Sequence, residues 1–292
     1  MSTTARLLER VIDALEGAQA LDRPADAGQQ LTGRLHAGAA KDLLSGTAVG
    51  HPLHPVLVTV PIGALTGALT LDVLGGNAEA SRRLVGLSVL SAVPAAAAGL
   101  SDWNETQGAE RRVGVVHALL NVAGLGLLTA SWVARGRGSG GRLLSTAGFG
   151  VIGMSGWLGG HLTYALGVGV DTTAFQRPPT EWTDACAESE LPDGSPHAVT
   201  VAETPLLLLR RGDRLHVLGD RCTHRGGALH EGRVVDGCLQ CPLHGSRFRL
   251  DDGTVERGPA TRPAPVFESR VVAGRVQVRR QEVRALRSNP VG

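Results

Sequence analysis

Four long apolar stretches dominate the first two thirds of the chain, and scarcely a charge interrupts them. They are between 17 and 28 residues long. An apolar helix of this length is enough to cross a hydrocarbon core of about 30 Å. The pattern therefore predicts four transmembrane helices, at residues 55–75, 84–100, 113–134 and 143–170.

The composition of these stretches is typical of helices that pack against each other in a membrane. Gly, Ala, Leu and Val predominate, and the pairs Gly63/Gly67 and Gly156/Gly160 have the small-xxx-small spacing that allows close helix contact. The alternative is the core of a water-soluble four-helix protein. That core would require polar stripes on the exposed helix faces, and these stretches lack them. We therefore expect an all-α four-helix transmembrane bundle at residues 43–170.

The residues before the bundle follow a different pattern. Apolar side chains recur at helical spacing and charged ones fill the opposite face, which predicts an amphipathic helix within an N-terminal segment of residues 1–42. We expect no signal peptide, because no apolar core with a small-residue cleavage site follows the start. The apolar positions of the helix are Leu7, Leu8, Val11, Ile12 and Leu15.

The last third consists of short apolar runs separated by turn residues such as Asp-Asp-Gly and Ala-Gly. This pattern predicts short antiparallel strands. We expect an all-β domain at residues 181–281, preceded by a linker of residues 171–180 and followed by a tail of residues 282–292. The predicted strands are 198–202, 206–210, 215–218, 246–250, 266–273 and 276–279.

Composition over the whole chain hides this division. The chain has 292 residues, a net charge of +2 and 42% hydrophobic residues, which alone would suggest an ordinary globular protein of two domains. The arginines are scattered through the loops rather than clustered. The sequence therefore gives no indication of a nucleic-acid partner.

Two short motifs near the C-terminus carry the clearest chemistry. Cys222 and His224 form one, and after sixteen intervening residues Cys241 and His244 form the other. Two thiolates and two imidazoles are the ligands of a Rieske-type [2Fe–2S] cluster, with sulfur on one iron and nitrogen on the other. Zinc also accepts two Cys and two His, although zinc fingers usually pair like ligands in one loop. The mixed pairing favours the iron–sulfur cluster.

The flanking residues support this choice, because Cys-Thr-His-Arg-Gly-Gly-Ala-Leu and Cys-Pro-Leu-His-Gly-Ser-Arg-Phe resemble the Rieske family closely. The resemblance covers about residues 181–280. It implies a β fold with the cluster loops at one tip, the imidazoles of His224 and His244 near solvent, and single-electron transfer. Ser246 matches a residue that tunes the cluster in this family.

Two departures from the family pattern indicate the subtype. Members from quinol-oxidising complexes carry a disulfide between the loops, and the corresponding positions here are at or next to Gly227 and at Leu243. Phe248 stands where high-potential members have Tyr. Since hydrogen bonds to sulfur stabilise the reduced cluster, loss of the Tyr hydroxyl predicts a low or intermediate potential, as in ferredoxins. The remaining cysteines, Cys186 and Cys238, are interpreted as small buried thiols rather than a disulfide.

Four histidines of the helical region are expected on one side of the membrane, the side from which the C-terminal domain emerges. His51 and His54 precede the first helix, His117 lies near the start of the third and His161 near the end of the fourth. Ionisable residues in membrane spans indicate function by default. A b-type haem held by His117 and His161, a quinone, or a metal held by His51, His54 and a carboxylate are the alternatives. The alternative without a shared site is that each imidazole makes a hydrogen bond with a neighbouring carbonyl.

Residues 43–170 also resemble an uncharacterised bacterial family of four-helix membrane domains that are sometimes fused to Rieske domains. The likeness depends on Gly-His-Pro-Leu-His-Pro-Val-Leu-Val-Thr-Val-Pro at residues 50–61 and Gly-Gly-His-Leu-Thr-Tyr at residues 159–164. The family implies no function.

These observations predict a membrane-bound electron-transfer protein. It would pass single electrons between a soluble partner (a reductase, ferredoxin or oxygenase) at the exposed cluster histidines and a membrane cofactor or quinone. The alternative is a ferredoxin component of an oxygenase or oxidoreductase system, with the helices acting only as an anchor in the lipid bilayer. A self-contained catalyst is less expected, because no large oxygenase domain follows the β domain.

The expected location is the bacterial inner membrane, crossed several times. Basic residues near the helix ends number five on each side, so the positive-inside rule does not decide the orientation. The lack of a leader and of the loop disulfide favours a cytoplasmic C-terminal domain.

Overall fold

In the computed structural model of the protein, residues 2–33 and 38–281 are described. The chain divides into two compact units, Met1–Val170 and Asp171–Gly292. The described elements of the first are helices and those of the second are mainly strands, which confirms the predicted fold class. The tail predicted at residues 282–292 lies outside the described residues.

The first unit, called the helical unit below, contains eight α-helices within its described residues, of which α5 to α8 correspond to the four predicted stretches. The helices are α1 (Thr3–Gly17), α2 (Asp22–Gly33), α3 (Ala39–Ser45), α4 (His54–Leu57), α5 (Thr59–Val73), α6 (Ala78–Trp103), α7 (Gly108–Gly136) and α8 (Arg142–Tyr164).

Within the part of the chain that the structure describes, three helical stretches are long and apolar enough to cross a membrane: His54–Val73, which joins α4 to α5, and helices α6 and α7. Only 22% to 33% of the residues in their most apolar segments are buried inside the structure. Most of their apolar side chains therefore face outward, an arrangement that costs free energy in water and not in lipid.

The fourth stretch forms helix α8, which ends at Tyr164 rather than at Val170 as expected. Gly167 and Gly169 follow with φ of 72° and 79°. Left-handed glycines end helices because the backbone carbonyls then turn away from the helix axis. The helix is thus shorter than its apolar sequence suggests.

Close contact between α6 and α7 depends on glycines facing tryptophans. A Cβ on Gly86 of α6 would come within 2.6 Å of the Trp132 ring, and a Cβ on Gly114 of α7 within 2.3 Å of the Trp103 ring. Of the glycines selected from sequence spacing, Gly67 approaches Leu84, whereas Gly63, Gly156 and Gly160 have nothing within 4 Å. The spacing therefore indicated the right kind of contact but mostly the wrong residues.

A buried ionic cluster joins four helices at one end of the bundle. Arg135 of α7 donates from Nη1 to Asp72 Oδ1 of α5 at 2.9 Å, and both side chains are 7% exposed. The same guanidinium donates to Ser81 of α6 and Ser145 of α8. Each donor and acceptor finds a partner, as a charge removed from water requires.

Helix α1 packs on the bundle through Ile12 and Leu15 of its predicted apolar face, whereas Leu7, Leu8 and Val11 of that face are exposed. Ile12 is 7% exposed and lies in one apolar cluster with Val113 of α7 and with Leu158 and Leu162 of α8. Arg112 of α7 adds an ion pair to Asp22 at the start of α2, with Nε 2.7 Å from Oδ1. The amphipathic segment is therefore part of the helical unit.

The second unit, called the β unit below, contains three antiparallel sheets with strand orders β1-β10-β9, β2-β3-β4 and β5-β6-β7-β8. The described residues of this unit form two apolar cores. Each core is built from side chains of two of the three sheets, and the first core also contains loop residues. The strands are β1 (Thr183–Ala187), β2 (His197–Val201), β3 (Thr204–Arg211), β4 (Arg214–Gly219), β5 (Arg233–Val235), β6 (Cys238–Gln240), β7 (Arg247–Arg249), β8 (Val255–Arg257), β9 (Phe267–Val272) and β10 (Arg275–Arg280).

Two-residue turns set the register of the hairpins. Val201 pairs with Thr204, Val235 with Cys238 and Val272 with Arg275. Both turn residues have positive φ in each case, the backbone that suits a right-handed strand twist. These turns are Ala202-Glu203, Asp236-Gly237 and Ala273-Gly274.

Candidate metal centre

The two Cys–His motifs lie in loops whose backbones share one geometry. Cys222 follows strand β4, and Cys241 lies between β6 and β7. In each loop the N–H of the glycine four residues on donates to the cysteine carbonyl, with N···O distances of 2.9 Å for Gly226 and 3.1 Å for Gly245. Their φ values are 72° and 75°. Glycine adopts this left-handed backbone without strain, so each glycine closes its loop.

Backbone N–H groups point at both cysteine sulfurs. In each loop the donors are the second and third residues after the cysteine: His224 and Arg225 donate to Cys222, and Leu243 and His244 donate to Cys241. Hydrogen bonds of this kind stabilise negative charge on sulfur. The two loops are thus prepared to hold thiolates.

The two thiols are themselves hydrogen-bonded to each other. This bond lowers the pKa of Cys241 to about 6, because the Cys222 thiol donates to its sulfur. The same bond, with burial adding to it, raises the pKa of Cys222 above its usual range. Two buried sulfurs that share one negative charge in this way are a site for a cation.

The two imidazoles lie beside each other across the loops. The ring centroids of His224 and His244 are 5.2 Å apart and the ring planes are at 84°. Both residues are half-buried. Their Nδ1 atoms are buried outside any hydrogen bond, although each residue makes other interactions. A pair of thiols and a pair of ring nitrogens in facing loops fits the donor set of a [2Fe–2S] centre of mixed ligation.

The positions where a loop disulfide would lie are in direct contact. A Cβ on Gly227 would come 2.9 Å from Leu243 Cδ1 and 3.2 Å from Cys241 Sγ. Packing of the Leu243 side chain over Gly227 therefore joins the loops here. All four cysteines are free thiols, as expected for Cys186 and Cys238, and burial raises the pKa of both of these.

Ser246 and Phe248, the two positions that the resemblance connects with cluster tuning, are both buried. Ser246 is fully buried, and its Oγ accepts a hydrogen bond from Ala260 N–H at 2.9 Å. Its own hydroxyl hydrogen is left to donate elsewhere. Phe248 is fully buried in the apolar core that also contains Cys222 and Cys241. An apolar ring beside the sulfurs excludes water and gives no hydrogen bond.

Sequence reasoning missed the contacts that hold the first loop. Asp220 accepts from the His230 backbone N–H at 2.7 Å and from His230 Nδ1 at 2.6 Å. Thr172, which the sequence assigned to the linker, donates from Oγ1 to Cys222 O at 2.7 Å. Thr223 Oγ1 donates to Arg262 O, also at 2.7 Å. No motif joins these residues, so the sequence held no signal for the contacts.

The histidines of the helical unit do not share one partner. His54 Nδ1 is 2.8 Å from Ala95 O of α6, and His161 Nε2 is 2.8 Å from Glu16 Oε1 of α1. His117 Nδ1 is 2.8 Å from Ser155 O of α8, and its Nε2 is 3.1 Å from Asn121 Nδ2. His51 is exposed before α4. The contacts of His54 and His117 correspond to the alternative in which each imidazole bonds a neighbouring carbonyl, whereas His161 contacts a carboxylate.

The metal set predicted from His51, His54 and a carboxylate is not formed. Within residues 2–33 and 38–281, no carboxylate lies with these two histidines in a group close enough to hold one ion.

Comparison with known proteins agrees with the geometry of the two loops. The chain is 36% identical over 98 residues to the anthranilate 1,2-dioxygenase ferredoxin subunit of Burkholderia cepacia, covering 34% of this chain and 91% of that protein. It is also 36% identical over 98 residues to ferredoxin CarAc of Metapseudomonas resinovorans, covering 33% of this chain and 92% of that protein.

Among solved structures, the chain is similar to a chain in the complex of reduced oxygenase and oxidized ferredoxin in carbazole 1,9a-dioxygenase. The identity is 34%, the match covers 34% of this chain and 95% of that chain, and the TM-score is 0.32.

Two family descriptions match separate parts of the chain. Residues 50–172 match the description "Predicted membrane protein (DUF2231)". Residues 181–268 match the description "Rieske [2Fe-2S] domain". Together with the relatives covered over nine tenths of their length, these matches show that the chain belongs to the Rieske [2Fe–2S] family through its β unit, joined to a DUF2231 membrane domain.

Proposed function

We propose that the protein is a membrane-tethered Rieske ferredoxin, which exchanges single electrons with a soluble redox partner at the tip of its β unit. The observation that carries this proposal is the convergence of Cys222, His224, Cys241 and His244 from two loops of matching backbone geometry. A [2Fe–2S] cluster held there supplies one-electron chemistry.

The side chains around the site have different roles. Cys222 and Cys241 supply thiolates at the buried base of the site, and backbone N–H groups stabilise their charge. His224 and His244 supply neutral imidazoles on the half-buried side. Phe248 keeps water from the sulfurs. The site is therefore closed on the protein side and accessible on the histidine side.

The surface beside the imidazoles suits a transient partner. Pro242 and Leu243 are exposed at the tip, Leu243 by 54%. A small apolar contact next to a redox centre permits binding that is close but readily reversed. An oxygenase component is the class of partner that we propose, since the relatives named above are ferredoxin subunits of dioxygenase systems or ferredoxins.

The helical unit would hold this ferredoxin at the bacterial inner membrane, crossed several times by its apolar helices. The support is the outward-facing apolar surface of three long helices and the family description of residues 50–172. We propose that the β unit lies on the cytoplasmic side, where thiols stay reduced and no loop disulfide is needed.

Spectroscopy of detergent-purified full-length protein tests the proposal. Reduction with dithionite is expected to produce the EPR signal of a Rieske cluster, with two iron and two acid-labile sulfide per chain. Cys241→Ser should abolish the signal, whereas Cys238→Ser, which alters another buried free thiol, should keep it. One zinc per chain without sulfide would contradict the proposal.

A second measurement tests the partner surface. Leu243→Asp should slow electron transfer to the purified oxygenase component of a Rieske dioxygenase at least several-fold, with each rate normalised to the cluster content that EPR measures, because Leu243 also joins the two loops. Val271→Asp, which changes an exposed apolar residue of β9 instead, is the matched control. Equal rates for the two variants would show that the tip is not the contact surface.

Electron exchange with a quinone in the helical unit is the second candidate function. The observation that favours it is that His54 begins α4, His161 lies three residues before the end of α8 and His117 lies nine residues after the start of α7, so the topology predicts all three in the same half of the bundle. Imidazoles there could bond quinone oxygens. Haem is the weaker form of this candidate, because axial ligation would require His117 and His161 to give up existing hydrogen bonds.

Quinol titration of the membrane-embedded protein tests this candidate. If a quinone exchanges electrons with the protein, ubiquinol or menaquinol should reduce the cluster in proteoliposomes, and His117→Ala should slow the reduction. A haem would appear as a Soret band in the purified protein. Failure of quinol to reduce the cluster, with no Soret band, would leave the helical unit as an anchor.

A further inference from the structure

A second group of metal-binding side chains lies in the β unit, away in sequence from the two Cys–His loops. The group consists of Cys186 in β1, Glu190 in the turn after β1 and His197 at the start of β2. One ligand atom of each side chain lies within 4.8 Å of those of the other two. Neither the electron-transfer proposal nor the family match assigns these residues a role. Among the described residues, these three form the group whose ligand atoms are close enough together to hold one metal ion.

The chemistry of each side chain is suited to a cation. Cys186 is 4% exposed and forms no disulfide, so its sulfur lies at the base of the site. His197 is half-buried and Glu190 is exposed, so the other two ligands lie towards solvent. An ion would thus enter from the surface and meet the thiol last.

The neighbouring charges leave the group available. Glu188, two residues before Glu190, is paired with Arg210 at 3.0 Å. The nearby Arg275 is paired with Asp184 at 3.4 Å. Glu190 itself makes one long backbone contact, 3.3 Å from Ala187 N to Oε2. The adjacent arginines are therefore directed to other carboxylates and do not neutralise Glu190.

We propose that Cys186, Glu190 and His197 bind one Zn²⁺ ion. Thiolate, imidazole and carboxylate are the three side-chain ligands that zinc uses in proteins, and three of them leave a fourth tetrahedral position for water. A thiolate in the set disfavours Mg²⁺ and Ca²⁺, which prefer oxygen ligands alone. The ion would join β1, the following turn and β2, which belong to two different sheets.

Zinc binding to the purified full-length protein in detergent, with its iron–sulfur cluster loaded, tests the inference. Iron, acid-labile sulfide and zinc are measured together after equilibrium dialysis against Zn²⁺. We expect one zinc per chain with iron and sulfide unchanged. Zinc that appears only as iron and sulfide fall would have replaced the cluster, and this result would overturn the proposal.

Variants identify the ligands. Glu190→Gln and His197→Gln, at exposed and half-buried positions, should each weaken zinc binding at least about tenfold, since even loss of an outer hydrogen-bond partner costs roughly 10–100-fold in metal affinity. Cys186→Ser should weaken it further. Cys238→Ser, at the other buried free thiol outside the two motifs, should bind zinc as the natural protein does.

Thermal unfolding gives a readout that does not depend on electron transfer. Saturating Zn²⁺ should raise the unfolding temperature of the natural protein and of Cys238→Ser, because an ion that binds only the folded state stabilises it. At the same Zn²⁺ concentration the rise should be smaller in His197→Gln, because this variant is expected to bind the ion at least about tenfold more weakly. Equal zinc affinity and equal stabilisation in His197→Gln and the natural protein would overturn the proposal.

Discussion

At the scale of single residues, the contact between Gly227 and Leu243 shows how this chain joins its two loops without a disulfide. The glycine provides the space, and the leucine side chain fills it. An apolar contact is weaker than a covalent bond but adds no oxidation requirement. The loops can therefore assemble where thiols are kept reduced.

Replacing this glycine tests the contact. In Gly227→Ala the new methyl group would overlap Leu243, and overpacking of this kind costs about 1–3 kcal/mol. We expect the urea midpoint for cluster loss to fall accordingly. Leu243→Ala in the same chain should restore much of the loss, since it removes the overlapping atoms. A double variant no more stable than Gly227→Ala would exclude this contact as the cause.

The position of Phe248 permits a prediction about the reduction potential of the cluster. In Phe248→Tyr a hydroxyl is added in the core that contains both cysteines. If it donates to a cluster sulfur, the reduced state gains about 1 kcal/mol, which for one electron corresponds to a rise of about 40 mV. Redox titration followed by EPR measures the change. Phe267→Tyr, in the other apolar core of the β unit, should leave the potential unaltered.

At the scale of helices and strands, polar contacts determine which helices meet. Arg135 reaches a carboxylate of α5 and hydroxyls of α6 and α8, so one guanidinium contacts three other helices. Apolar packing alone distinguishes weakly between helix partners in lipid, because lipid tails are as apolar as leucine. The ionic cluster supplies the missing specificity.

Removing one member of this pair should destabilise the bundle. Arg135→Met leaves Asp72 with the Ser81 hydroxyl and with Arg142, whose Nε is 3.7 Å away, and loss of a buried partner costs up to about 3–5 kcal/mol. We expect a clear fall in the thermal unfolding midpoint in detergent. Arg83→Met, which breaks an exposed pair with Glu79, should change it little. Asp72→Leu added to Arg135→Met should recover stability; no recovery would argue against an uncompensated charge as the cause.

At the scale of the whole molecule, the helical unit exposes an apolar surface along helices that are long enough to cross a membrane. Leu90, Val93 and Val122 are 60% or more exposed on helices with few charges. Water would penalise such a surface along the length of three helices. Lipid would not.

Membrane fractionation tests this at the level of the cell. The full chain should stay in the membrane pellet after an alkaline carbonate wash, and the reduced pellet should carry the Rieske EPR signal. Protease added to spheroplasts should spare the β unit if it is cytoplasmic. Release of the intact chain by carbonate would contradict membrane insertion, and digestion in intact spheroplasts would reverse the proposed orientation.

Local sequence patterns are enough to predict the fold class, the positions of the apolar helices, six of the ten described strands and the residues of the two Cys–His motifs. The physical reason is that these are local properties. The hydrophobic period, the length of an apolar segment and the spacing of ligands each depend on residues that are close in sequence. Cys222 and His224 are two residues apart, so their relation needs no fold to be recognised.

Only the tertiary structure decided which distant residues meet. Glu16 with His161, Asp72 with Arg135, Thr172 with Cys222 and Gly227 with Leu243 are pairs that no local pattern joins. The fourth helix also ends earlier than its apolar run, because two glycines adopt left-handed backbone after it. Contacts of this kind depend on how complete elements pack, and packing is a property of the folded chain.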